Sequence, residues 1–209
     1  VNTTGFKKTR PEFQDLLYET LKPAGNVARL GVEPLNDVQI GSGTELVSSQ
    51  KMFSQGDIKQ TNNQFDMAIN GEGFFVMRRP DNTLSYTRDG SFKMDRNGML
   101  VNAQGFLLDP GIRVPQEALE LLVSPEGNLN VLLPNSTEHV SIGNIQLARF
   151  VNPAGLRSVG DNQFLATPAS GDPLFETPGQ NNTGMIVQSH LEVANVDVVE
   201  EMVNMITAQ

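Results

Sequence analysis

Residues 69–77 read INGEGFFVM. Two glycines, Gly71 and Gly73, stand ahead of an apolar run, and the stretch is either a phosphate-cradling loop or a turn into a β-strand. A dinucleotide fingerprint, G-x-G-x-x-G, needs a third glycine so that a helix can pack closely on the preceding strand. Val76 occupies that position, and no lysine follows as in a P-loop. Phe74, Phe75, Val76 and Met77 favour extended backbone over a helix start. The stretch reads as a strand-to-strand turn, with Gly71 and Gly73 supplying positive φ or close backbone approach.

Working outward, residues 49–185 carry the same texture. Short apolar runs alternate with turn signals at the spacing of sandwiches and barrels. PDNT at 80–83 suits a hairpin loop, and DRNG at 95–98 puts Gly98 where a type I turn with a bulge needs positive φ. NAQG at 102–105, SPEG at 124–127 and NPAG at 152–155 repeat the device. Connections this short cannot make parallel crossovers. The fold class is therefore mainly β, an antiparallel sandwich or barrel-like body, flanked by an extended N-terminal arm and short terminal helical segments.

Both flanks change period. In residues 1–48, Phe13, Leu16, Leu17 and Leu21 fall at i, i+3, i+4 and i+8, and Pro11 and Pro23 suit a start and an end, so the pattern predicts a helix there. The same four residues also fit an extended arm. The chain after it, with Gly31, Pro34, Leu35, Gly41 and Gly43, shows no period. In residues 186–209, Asp197 reads as an N-cap and Val199, Met202, Val203 and Ile206 form one helical seam. A helix of about thirteen residues is marginal alone, so the seam should need a partner. The chain begins at Val1 rather than Met, and its last helix reaches Gln209 without a stop signal. Both ends are expected to continue.

Net charge is −9, which disfavours nucleic acid as a partner. The basic pairs Lys7-Lys8 and Arg78-Arg79 read as solvated faces. No run of about 18 apolar residues suggests membrane insertion, and no signal peptide is visible. Without cysteine and with two histidines, His139 and His190, a zinc site lacks donors. There is no G-x-S-x-G elbow and no calcium-loop order in DRNG. Glu200 and Glu201 are adjacent on a helix and point about 100° apart, so they cannot flank one bond. Catalytic, cofactor-binding and metal residues are all expected to be none.

Four strings resemble one family. VNTTGFKKTRPEFQDLLY at 1–18, SQGDIKQTNNQFDMAINGEGFF at 54–75, YTRDGSFKMDRNGMLVNAQGF at 86–106 and NVDVVEEMVNMITAQ at 195–209 are similar, in order, to bacterial flagellar rod and hook proteins. The stretch GVEPLNDVQIGSGTEL at 31–46 resembles the distal-rod branch more than the shorter hook branch; a proximal-rod paralogue stays open. The resemblance implies a structural subunit of the basal body. It would leave by the flagellar type III apparatus without a cleaved signal and polymerise into a straight tube across the periplasm. Implied partners are copies of itself, proximal rod, hook and ring proteins.

On the same resemblance Val199, Met202, Val203 and Ile206 become the root of a terminal coiled coil. Phe13, Leu16, Leu17, Leu21 and Leu35 become candidate contacts between subunits, with intramolecular packing an open alternative. The stretch at about 22–48 becomes an arm that locks neighbours and stiffens the tube. Two other classes compete: a β module for cell-wall glycan, for which an aromatic platform is missing, and a hydrolase, for which no acid–base pair is visible.

Overall fold

The structure is a computed structural model, and it describes residues 3–22, 38–134 and 138–207. The chain divides into two compact units, one of Val1–Lys8 with Phe53–Gln209 and one of Thr9–Met52.

The larger unit is built around the opening stretch. Gly71 to Gly73 turns Met67–Asn70 into Phe74–Arg78, and these two strands enter different sheets. Met67–Asn70 pairs antiparallel with Met185–Gln188. Phe74–Arg78 pairs with Leu84–Thr87, Leu107–Leu108 and Leu147–Arg149 inside a nine-stranded antiparallel sheet. Side chains alternate across a strand, so both faces of this strand are spoken for. Phe75 and Met77 enter one core with Met67, Ile69, Phe92, Leu129, Leu147 and Ile186. Phe74 and Val76 enter a second with Tyr86, Phe150, Leu156 and Phe164. A strand buried on both faces requires a continuous apolar run, which is what FFVM supplies. The aromatic rings meet edge to face, Phe75 on Phe92 at 5.1 Å and Tyr86 on Phe150 at 4.8 Å.

The hairpins are local products of their turns. PDNT connects Phe74–Arg78 to Leu84–Thr87 with Asn82 at φ 63°. DRNG connects Lys93–Met94 to Leu100–Val101, and the Asp95 carboxylate accepts from the backbone N–H groups of Asn97 and Met99, both at 2.8 Å. SPEG joins Glu120–Val123 to Asn128–Leu132, the first two strands of a three-stranded sheet completed by His139–Asn144. NPAG departs from the pattern. Pro153–Gly155 is a 3-10 turn between strands that do not pair with each other. Its glycine is dictated by space, since a Cβ there would lie 2.6 Å from the Ala169 carbonyl carbon.

The smaller unit is a two-stranded antiparallel ribbon. Thr9–Asp15 pairs with Thr44–Lys51 and Tyr18–Lys22 with Val38–Gly41. Leu16 N–H donating to Gly43 O at 2.8 Å carries the ladder between them. The helix expected over Phe13, Leu16, Leu17 and Leu21 is therefore corrected to strands. Four apolar residues make a thin helical stripe, and pairing with partners 16 to 42 residues on supplies a backbone ladder along one edge of each strand instead. Pro11 is tolerated because a two-stranded ribbon is all edge. Leu35 and the arm over 23–37 lie outside the described residues. One α-helix closes the described chain, α1 (Val198–Thr207).

Candidate assembly surfaces and the buried charge cluster

Gly71-Glu72-Gly73 carries the reverse of a phosphate cradle. Such a cradle points N–H groups at its ligand, whereas here the carbonyls of Gly71 and Gly73 accept from one terminal nitrogen of Arg88, at 2.8 and 2.7 Å. The loop holds a cation of its own chain. Arg88 Nε also donates to Glu192 Oε2 at 2.9 Å. The other carboxylate oxygen accepts from Lys7 Nζ at 2.5 Å and from Gly56 N–H at 2.9 Å. Lys7 Nζ donates further to Ser54 O at 2.7 Å.

Lys7, Arg88 and Glu192 are all buried. Lys7 thus corrects the reading of Lys7-Lys8 as a solvated pair. The cluster holds two cations and one anion, so it is unbalanced by one positive charge. Burial holds the Lys7 ammonium below its ordinary pKa, opposed by the hydrogen bond and charge of Glu192, with Arg88 adding to the depression. Nothing in composition or spacing marked Glu192. Lys7 and Arg88 do fall within two of the family-like strings, the one signal that could have singled them out.

The cluster ties the first described residues to the last strand and so sets where α1 begins. Gly5 N–H donates to Glu192 O at 2.8 Å. Lys8 N–H donates to Asn195 Oδ1 at 2.7 Å, and Asn195 Nδ2 reaches Ser54 Oγ at 2.9 Å. Lys8 Nζ forms an ion pair with Glu201, whose hydrogen bond raises the Lys8 pKa. Asp197 caps the helix, its Oδ1 accepting from Val199 N–H at 2.8 Å and Glu200 N–H at 3.3 Å. No residue of α1 is buried. Val199, Met202, Val203 and Ile206 all face solvent, Ile206 at 72% exposure.

The ribbon candidates separate. Phe13, 67% exposed, lies across from Leu46, and Leu17 is also exposed, while Leu16 is half-buried. Leu21 falls on Tyr18–Lys22. The turn glycines Gly71, Gly73 and Gly98 have φ of 121°, 127° and 80°. At Gly98 the requirement is double, because an added Cβ would also collide with the Val114 carbonyl oxygen. His139 is exposed and His190 Nδ1 lies 2.7 Å from Gln188 O. Among the described residues no group of three or more His, Cys, Asp or Glu is placed to hold a metal ion. Among them, too, no helix is long and apolar enough to cross a membrane.

Residues 68–131 match the family "Flagellar hook protein FlgE/F/G D1 domain", and residues 187–209 match "Flagellar basal body rod FlgEFG protein C-terminal". The chain is 42% identical over 209 residues to the flagellar basal-body rod protein FlgG of Buchnera aphidicola subsp. Schizaphis graminum, covering all of this chain and 80% of that relative. It is 44% identical over 212 residues to FlgG of Borreliella burgdorferi, with the same coverage. The flagellar hook protein FlgE of Helicobacter mustelae is 42% identical over 110 residues, 52% of this chain and 24% of that protein. Rod proteins thus match the chain end to end, ribbon included, where the hook protein matches half of it: the chain belongs to the FlgG family of flagellar basal-body rod proteins.

Proposed function

We propose that the protein is a structural subunit of the distal rod of the bacterial flagellar basal body. Copies polymerise into a straight, stiff tube that transmits motor torque to the hook and surrounds an axial export channel. The observation that supports this reading is the whole-chain similarity to FlgG proteins, against half-chain similarity to a hook protein.

The exposed surfaces fit the role. Heterologous contacts that do not close on themselves generate a helical filament, and they need distinct patches. The α1 seam and the ribbon are two such patches. In this reading Val199, Met202, Val203 and Ile206 pack in a terminal coiled coil, while Phe13, Leu16, Leu17, Leu21 and Leu35 lie between subunits. The ends of the tube meet proximal rod and hook, its outer face meets ring proteins, and the protein carries out no catalysis.

The test is deletion of the gene from a motile host followed by isolation of basal bodies. The expected result is immotile cells with rods ending short and no hook, restored by the intact protein. Cells that swim normally without it, or basal bodies that never contain it, would overturn the assignment.

A further inference from the structure

Beside the Gly71–Gly73 loop lies a cavity of about 560 Å³, within the roughly 300–1,000 Å³ range of sites that hold a ligand group. It is lined by Phe53, Phe74 and Phe150, with Val151 on it at 81% exposure and with Arg88, Arg149 and Glu72 as the charged residues of its wall. Arg88 is already committed to Glu192 and two carbonyls. Arg149 has no ion pair among the described residues, and its Nε is buried without a hydrogen-bond partner. A buried donor left unpaired is costly, and the Arg149 guanidinium is a cation in this aromatic wall that no carboxylate among the described residues pairs with.

We propose that the occupant is Leu119 of a second copy, entering between the phenylalanines while a flanking carboxylate, Glu117 or Glu120, pairs with Arg149. This rests on the rod reading above. Leu119 is 66% exposed, and its backbone N–H is pinned to Leu132 O at 2.8 Å, so the side chain is presented from a fixed point. Glu117 and Glu120 are exposed on either side of it and form no ion pair among the described residues. In a chain of net charge −9, a cation without a partner matches an acidic segment of its own kind. Knob and pocket lie on different stretches of the chain, and with each copy giving its knob to one neighbour and its pocket to another the contact is heterologous and propagates.

The chain contains no cysteine, which makes a paired substitution clean. In basal bodies from cells producing only the L119C/V151C protein, mild oxidation should give a ladder of covalently linked subunits, and neither single variant should. Arg149→Glu should lower the yield of rods at least about tenfold, and adding E117R/E120R should recover most of it. Normal rods without a ladder, or a charge reversal that fails to recover assembly, would overturn the pairing while leaving the rod assignment standing. A cross-link to a hook or ring protein would overturn the second copy as occupant. Absence of the unsubstituted protein from rods would instead defeat the rod assignment. If R149E does not fold, the cysteine pair alone decides.

Discussion

Two strands of this molecule are opposites in everything except their backbone. Phe74–Arg78 has apolar side chains buried on both faces, and Phe75 is wholly inaccessible. Thr9–Asp15 is exposed on both faces, and its Phe13 keeps two-thirds of its surface. The first is held by cores from within its unit. The second has a single ladder partner, and a two-stranded ribbon is marginal by itself in water. Burial thus stabilises the body, while the ribbon leaves apolar side chains exposed, which is what the proposed contacts between subunits would use. This difference is what a polymerising subunit requires of its parts.

The sharpest break of the comparison is Phe75→Ala against Phe13→Ala. Removing a buried phenylalanine costs about 3–5 kcal/mol, a large share of the roughly 5–15 kcal/mol that a domain possesses. Removing an exposed one changes stability by no more than about 0.5 kcal/mol. Urea unfolding of both variants checks this. If F13A destabilises as much as F75A, the ribbon is packed on something and the contrast collapses.

The charge cluster tests the body at its polar extreme. Glu192→Gln leaves two buried cations facing each other and should cost about 3–5 kcal/mol. Lys7→Met leaves a neutral Arg88–Glu192 pair and loses two charged hydrogen bonds, of about 1.5–3 kcal/mol each. It also removes the desolvation cost of a buried ammonium and its repulsion with Arg88, so the net loss should be smaller. The order E192Q worse than K7M is the diagnostic, read from thermal unfolding. A pH sign goes with it. Because the folded Lys7 pKa is depressed, the unfolded state binds more protons between that value and the ordinary lysine value. Stability should rise with pH across that alkaline window in wild type and not in K7M.

Legibility in the sequence follows the same division. The body could be read because its causes are local: FFVM between a glycine turn and PDNT, and Asp95 or Asn102 folding its own next four residues. NPAG shows where local reading ends, since its Gly155 answers to Ala169 across the fold. The ribbon reads as either a helix or an extended arm because its partner strands lie 16 to 42 residues away, and no short window contains both sides of the ladder. Asp197 and the α1 seam were readable at period 3.6. The Lys7–Arg88–Glu192 cluster was not, because it joins three distant residues whose types alone suggest surface.

A gentler break removes the outer ribbon. Deleting residues 18–41 leaves Thr9–Asp15 and Thr44–Lys51 to pair and touches neither core. The melting temperature of the body should move by no more than a few degrees. In polymerised rods, electron microscopy should show curvature in place of straight tubes. Straight, normally stiff rods from this variant would remove the ribbon from the account of stiffness.

The smallest effect lies in one body turn, and it asks whether charge or shape makes that turn. Backbone hydrogen bonds from Met99 above all, and from Asn97, hold the Asp95 carboxyl below its ordinary pKa, with the Asn97 side chain and Arg113 adding. A carboxylate whose folded pKa is depressed contributes stability that is present above its unfolded value and lost as pH falls through the folded one. Asp95→Asn keeps an acceptor oxygen of the same shape and removes the charge. The variant should unfold at slightly lower urea than wild type near pH 7. The two midpoints should converge once wild-type Asp95 is protonated, below the ordinary aspartate range. A gap that persists in acid would assign the turn to shape and to Gly98 at φ 80° rather than to the carboxylate's charge.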